Sequence, residues 1–433
     1  MRTRYRRIRL WVAAAWLALP LAAADATLAR IAGEQLPSLA ALYRELHQSP
    51  ELSGQEQATA ARMAKELAAA GYQVTTGVGG HGVVGLLQNG NGPTLLIRTD
   101  LDALPVQENT GRAYASRKPG VMHACGHDLH MTCFIGAARA LGQLRDRWKG
   151  TLLLIGQPAE EVVTGAARML ADGLYRRFPR PNYCLALHVD AALEAGQIGF
   201  REGYVLAAVD AVDITVRGAG GHGAYPHKTK DPVVIAAQLV LALQTIVSRE
   251  VKPGEPAVVT VGQIHGGTRR NIVPDQVDME LTVRTYSEET RRQVLAAIER
   301  ITRAVAAAAG LPPGREPVIR IREDGRSPAT HNDPALTRRV VAAIREALDA
   351  NRVVEREPEM ASEDFGLFGR VEPAIPSLMF RVGTIDARRW EASQRPGGQP
   401  LPSLHSPLYW PDPEPAISAG LQAMTAAALH LLQ

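Results

Sequence analysis

Thr94-Leu95-Leu96-Ile97-Arg98-Thr99-Asp100-Leu101-Asp102 is the stretch on which the fold turns. Residues 94–97 are apolar without alternation, which predicts a strand buried on both faces. Two acids follow at its C-terminal end. The pattern recurs downstream. Thr151 to Ile155 is a second continuous apolar strand, followed by Gln157-Pro158-Ala159-Glu160-Glu161. Tyr183 to Leu187 is a third, ending in His188. Apolar residues at helical spacing predict a helix over 128–144. Strands of this kind belong to an α/β fold whose sheet is covered by helices, and ligands bind beyond the carboxyl ends of such strands. Three strand ends within about 90 residues carry acids or a histidine.

Outward from this core, residues 34–70 read as two helices with a turn at 49–53. Residues 71–92 alternate short apolar runs with glycines, predicting strands and hairpins. A different rhythm begins near Ala207. Strands are predicted over 210–217, 257–264, 277–284 and 318–321. Helices are predicted over 231–248, opened by Asp231-Pro232, and over 287–308, with Glu288 and Glu289 in the first turn. The order β-α-β-β-α-β is that of a ferredoxin-like domain inserted into the larger one. The expected boundaries are 27–206 and 326–433 for the larger domain and 207–325 for the insertion. A chain of 433 residues is too long for one core, which agrees with two domains.

The N-terminus reads as an export signal over residues 1–26. Arg2, Arg4, Arg6, Arg7 and Arg9 precede an apolar run from Leu10 to Ala24, with small residues for cleavage after Ala24 or Ala26. The alternative is an uncleaved anchor. The expected location is periplasmic or secreted, with no membrane span after cleavage, because no run of 18 or more apolar residues occurs. Removing residues 1–26 takes away five arginines and one aspartate, leaving 43 basic and 43 acidic residues. The basic character therefore belongs to the signal and does not point to nucleic acid. Three cysteines, Cys125, Cys133 and Cys184, are too few for a disulfide framework.

His123-Ala124-Cys125-Gly126-His127-Asp128 is the sharpest local motif. A thiolate and an imidazole two residues apart, just before a helix, can reach adjacent coordination positions. The other reading is a buried cysteine flanked by structural histidines. Glu160-Glu161 divides naturally into one ligand and one base, since two buried carboxylates side by side need a cation. As two solvated acids they would do nothing. His188 and His405 gain their weight from the set.

Together these residues resemble the metal-dependent aminoacylase and carboxypeptidase superfamily, in the branch of hippurate hydrolases, N-acetyl-amino-acid deacetylases and auxin-conjugate amidohydrolases. Further landmarks are residues 47–53, Asp100 to Pro105, Ala186 to Val189, Gly220-Gly221-His222, Asn271 to Pro274, Ser362-Glu363-Asp364-Phe365 and His405-Ser406-Pro407. The resemblance implies a zinc-aminopeptidase-like catalytic domain with a ferredoxin-like lid and dimerisation domain. It implies two divalent ions, Zn, Mn, Co or Ni, held by Cys125, His127, Glu161, His188 and His405, with Cys125 bridging. Asp100 stands in the place of a histidine ligand of other relatives, and Asp102 orients a ligand from behind. Glu160 is the implied base and His222 the implied oxyanion donor, often reaching from the partner subunit. Asn271 is implied to contact substrate, and His227 to support that region. The implied partners are an N-acyl amino acid or short peptide and a second copy of the chain. Carboxypeptidase or dipeptidase activity uses the same chemistry. A binding protein with a dead site would not need Glu160 beside Glu161. Arg269, Arg270 and Arg381 are candidates for a substrate carboxylate. The chain departs from relatives at Ala219, Gly223, Leu129 and Tyr409-Trp410-Pro411, which bears on the substrate and not on the reaction.

Overall fold

The computed structural model of the protein describes residues 26–433. The expected export signal lies outside the described residues except for Ala26, which opens the helix Ala26–Gln48.

Eight strands form the larger sheet. Their order is Gln73–Val78, Gly82–Asn89, Gly150–Gln157, Thr94–Asp100, Tyr183–Glu194, Ser377–Ile385, Ile198–Phe200 and Val353–Glu355. The four central strands run parallel, and antiparallel pairs flank them, so the sheet is mixed. Side chains alternate between two cores. Leu95, Ile97, Leu152, Leu154 and Leu185 pack with Leu39, Phe134 and Leu421 of the covering helices Ala26–Gln48, His127–Gln143 and Pro413–Leu431. Leu96, Leu153, Ile155 and Ala186 face Met169, Phe365 and Phe368 on the opposite side. Both faces are covered, which explains the unbroken apolar runs. Each fully buried leucine contributes about 1.5–3 kcal/mol.

One strand differs from its sequence reading. The third does not end at His188 but continues to Glu194. Its pairing with Thr94–Asp100 stops at Ala186, while its pairing with Ser377–Ile385 carries on past His188 to Glu194. His188 therefore still stands at the rim where the central strand has ended.

The second sheet has the order Ala257–Gly266, Gln276–Thr285, Ala208–Arg217 and Val318–Ile321, all antiparallel. That is the ferredoxin-like arrangement. Its own core joins Val212, Ile214 and Val283 to Leu239 and Ile298 of the helices Pro232–Thr245 and Glu288–Ala308. Both helices are capped by side chains. Asp231 accepts from the Val233 N–H and Ser287 from the Thr290 N–H. The first helix runs on through a wider turn to Glu250. By length and composition Pro232–Glu250 is apolar enough to cross a membrane. Ile235, Leu239, Leu243 and Ile246 nonetheless pack on the sheet, while Val233, Val234, Leu241 and Val247 point outward and are exposed. A separate two-stranded ribbon pairs Gly221–His222 with Ile272–Val273.

Candidate metal centre

The chain turns sharply between Cys125 and His127. Gly126 has φ 76°, and a Cβ there would meet Val189 at 2.8 Å, so only glycine fits. His127 opens the helix His127–Gln143. Its Nδ1–H donates to the Asp102 carbonyl at 2.8 Å, which leaves Nε2 facing the site. His188 is set in the same way. Its Nδ1–H donates to the Val189 carbonyl at 2.8 Å, and its Nε2 lies 3.7 Å from Cys125 Sγ. The Glu161 N–H donates to Asp102 Oδ2 at 2.9 Å. His405 sits on a loop at φ 66°, tied by its N–H to the Ala124 carbonyl at 2.9 Å, with Nε2 3.5 Å from Glu161 Oε2.

All five ligand candidates come together, in two groups. The donor atoms of Cys125, His127 and His188 lie within 4.8 Å of one another, and so do those of Cys125, Glu161 and His405. Cys125 is common to both. His127 Nε2 and Glu161 Oε1 are buried with no hydrogen-bond partner among the described residues. Leaving such atoms unmet costs about 1–3 kcal/mol each. Charge points the same way. Burial, then Glu161, pushes the Cys125 thiol well above its ordinary range, against the opposing pull of His127. Burial also pushes Glu161 up to about 7 although His127 opposes it, with Asp102 and Asp100 adding to the rise. The site is crowded with anions, and cations there would reverse both shifts. The donor set fits divalent metal ions, with Cys125 a member of both groups.

Glu160 is buried beside them, its Oε2 3.8 Å from His127 Nε2. Burial, Glu363 and Glu161 hold its carboxyl well above the usual range, opposed by His127. It belongs to two further groups, one with His127 and Glu161 and one with Glu363 and Asp364.

A cavity of about 760 Å³ opens over Cys125, Glu160, Glu161, His188 and His405. Its walls include Leu206, Leu401 and Leu404, and two arginines, Arg284 and Arg381. His222, His227 and Asn271 do not line it. They are exposed on and beside the ribbon, where the Gly223 N–H donates to the Asn271 carbonyl at 2.8 Å. Arg269 and Arg270 are exposed there too. Arg381 lines the cavity but is already paired, with Asp190 at 3.6 Å and with Glu359.

The sequence profile of Peptidase family M20/M25/M40 matches residues 96–391. The chain belongs to that family. It is 38% identical over 353 residues to the N-acetyl-L-cysteine deacetylase of Bacillus subtilis, covering 81% of this chain and 82% of that one. It is also 38% identical over 329 residues to the hippurate hydrolase of Campylobacter jejuni, covering 76% and 84%. A Bacillus subtilis structure described as a dinuclear metal-binding peptidase of the M20 family superposes with a TM-score of 0.75 at 30% identity, covering 92% of this chain and 99% of that chain. This member of the M20/M25/M40 family is thus a metal-dependent hydrolase of amide bonds.

Behind the donors of the M20/M25/M40 site lies a buried layer that includes residues absent from the sequence reading. Asp100 Oδ1 accepts from His130 Nδ1–H at 2.7 Å, and its Oδ2 accepts from Arg98 at 2.7 Å. His130 Nε2 in turn accepts the Val189 N–H at 2.8 Å. Both its nitrogens are committed, so His130 positions and does not ligate. Arg98 is fully buried and also donates to Glu363 at 2.7 Å and to Gln157 at 2.9 Å. An arginine inside the apolar strand Thr94–Asp100 was the available signal, because a buried guanidinium demands acids. The histidine three residues after His127 was another. His123 is buried, pushed down to about 4 by burial, and stands in none of the donor groups.

Proposed function

We propose that this chain is an exported, two-metal hydrolase that cleaves N-acyl amino acids to a free amino acid and a carboxylic acid. The observation that carries this reading is Cys125, common to two donor groups that reach from the interior to the exposed His405, with the buried carboxylate of Glu160 beside them. The names of the two relatives, a deacetylase of N-acetyl-L-cysteine and a hippurate hydrolase, support an N-acyl amino acid as substrate. Short peptides, the substrates of a carboxypeptidase or dipeptidase, fit the same centre.

Cys125, His127, Glu161, His188 and His405 would hold bound Zn, Mn, Co or Ni ions, which would supply Lewis acidity and lower the pKa of a water. Glu160 takes the proton of the attacking water and carries it to the leaving amine as the C–N bond breaks. Asp102 keeps His127 in its working tautomer and holds the Glu161 backbone. The substrate carboxylate meets Arg284. This arginine lines the cavity and donates to Ser362 Oγ at 2.8 Å and Thr282 Oγ1 at 3.1 Å, and no carboxylate among the described residues pairs with it. It replaces Arg269, Arg270 and Arg381 in that role.

His222 and Asn271 act from a second copy of the chain, His222 as oxyanion donor, with His227 supporting the ribbon. The outward apolar side of Pro232–Glu250 supports a homodimer. In this reading residues 207–325 form the lid and dimerisation domain, and residues 27–206 with 326–433 the catalytic domain. The basic and apolar segments of residues 1–26 support export to the periplasm or medium.

The test is metal content and turnover of the mature protein before and after chelation, on N-acetyl, N-benzoyl and dipeptide substrates. Chelation-sensitive turnover fastest on N-acyl amino acids is expected. Glu160→Gln should keep the metals and lose about 10²–10⁴-fold in kcat. Ordinary activity in that variant would sink the mechanism, and absence of bound metal would sink the site.

A further inference from the structure

A buried acid outside the donor set holds the loop that carries the base. Glu56 is 0% exposed. It precedes the helix Gln57–Ala69 but does not cap it. Its Oε1 instead accepts two backbone N–H groups, from Gly54 at 2.8 Å and from Ala159 at 2.7 Å. Among the described residues its Oε2 has no hydrogen-bond partner and no basic side chain pairs with it. A buried carboxylate kept without a counter-charge is costly.

The other end of that contact is strained. Ala159 has φ 53° and Val163 has φ 48°. Left-handed backbone costs a non-glycine residue about 1–2 kcal/mol, and two such residues bracket Glu160-Glu161. The turn is closed by the Val163 N–H on the Glu160 carbonyl at 2.6 Å and the Gly165 N–H on the Ala159 carbonyl at 3.1 Å. From outside, two carboxylates hold it. Glu56 takes the amide before Glu160. Asp102 Oδ2 takes the amide after it, and that oxygen is itself steadied by the Ser53 hydroxyl at 2.6 Å. The base thus stands between two clamped amides.

We propose that Glu56 is a positioning residue for Glu160, holding residues 158–161 in a strained turn through the Ala159 N–H. The proposal rests on Glu160 being the base. Its content is reach, not charge. Glu56→Asp keeps a buried carboxylate but is one methylene too short for Ala159. Glu56→Gln loses the charge but keeps an oxygen at the right distance.

The experiment compares these two variants, and E56D combined with Ala159→Gly, which relieves the left-handed strain. The readouts are kcat and KM, and amide exchange over residues 157–165 in the metal-free protein. E56D should lose about 10–100-fold in kcat, the scale of a small misplacement of a catalytic group, with KM little changed. The Ala159 and Glu161 amides should exchange faster. E56Q should stay within a few-fold of wild type, and A159G should restore part of the E56D loss. Unchanged exchange and turnover in E56D, with E160Q inactive, would overturn the placement of Glu56 alone. Equal losses in E56Q and E56D would overturn the argument from reach. Full turnover in E160Q would overturn the reading beneath it.

Discussion

His47 Nδ1 meets Asp128 Oδ2 at 2.6 Å beneath the first turn of the helix that presents His127, and His47 Nε2 lies 3.3 Å from Glu108 Oε1. The imidazole is buried between two carboxylates. Burial alone would lower its pKa, but the hydrogen bonds it donates to Asp128 and Glu108 outweigh burial and raise it to about 9. Glu108 is held down to about 2 against its own burial, chiefly by the bond to His47. A raised histidine stabilises the fold fully below its unfolded value of 6.5 and ceases to do so as pH climbs through about 9. The expected outcome for His47→Gln is a stability deficit that narrows by about 2–3 kcal/mol between pH 6 and pH 10. Urea unfolding of both proteins across that range checks it. A deficit independent of pH would mean that His47 is neutral in the fold.

Cys125 is predicted to matter to both ions, because it is the only donor common to both groups. Cys125→Ala should bind metal far more weakly at both positions, whereas His405→Ala, which belongs to one group, should retain an ion at the other. Metal analysis after dialysis against a weak chelator separates the two. Loss of a single ion in C125A would move the bridging role to another residue.

The legibility of each residue in the sequence depends on where its partners come from. Asp100, Glu161 and His188 can be placed because an unbroken apolar run marks a strand buried on both faces, and the residues that follow such a run stand near the sheet rim. Cys125 and His127 are legible from a local motif with a glycine between them. The Arg98–Glu363 pair is not, since its members are 265 residues apart and no periodicity encodes which acid a buried arginine meets. His130 is hidden because its two bonds, to Asp100 and to the Val189 N–H, come from two different strands. The end of the third strand escapes a local reading for a related reason. Ser377–Ile385 decides how far it pairs, and that strand lies nearly 200 residues on.

Arg284 separates substrate binding from chemistry. A guanidinium in the cavity wall whose partners among the described residues are hydroxyls is suited to a free carboxylate. Arg284→Ala should weaken kcat/KM for N-acyl amino acids by about 10–100-fold, as expected for a lost charge-assisted hydrogen bond of about 1.5–3 kcal/mol. The same substrates with the carboxylate amidated should be nearly indifferent to the change. Equal losses on both substrate forms would remove Arg284 from carboxylate recognition.

The exposed ribbon sets the last test. His222 pairs in register with Ile272, away from the cavity of its own chain. If it serves the partner's site, two inactive variants should rescue each other. A dimer of one E160Q subunit and one His222→Ala subunit contains one site with an intact Glu160 and an intact His222 from across the interface. Its other site lacks both. Random exchange makes half of the dimers mixed, so activity should return to roughly a quarter of wild type. Were His222 to act within its own chain, each site would still lack one group and mixing would restore nothing. The variants should therefore be unfolded and refolded together, with each refolded alone as a control, before turnover is measured.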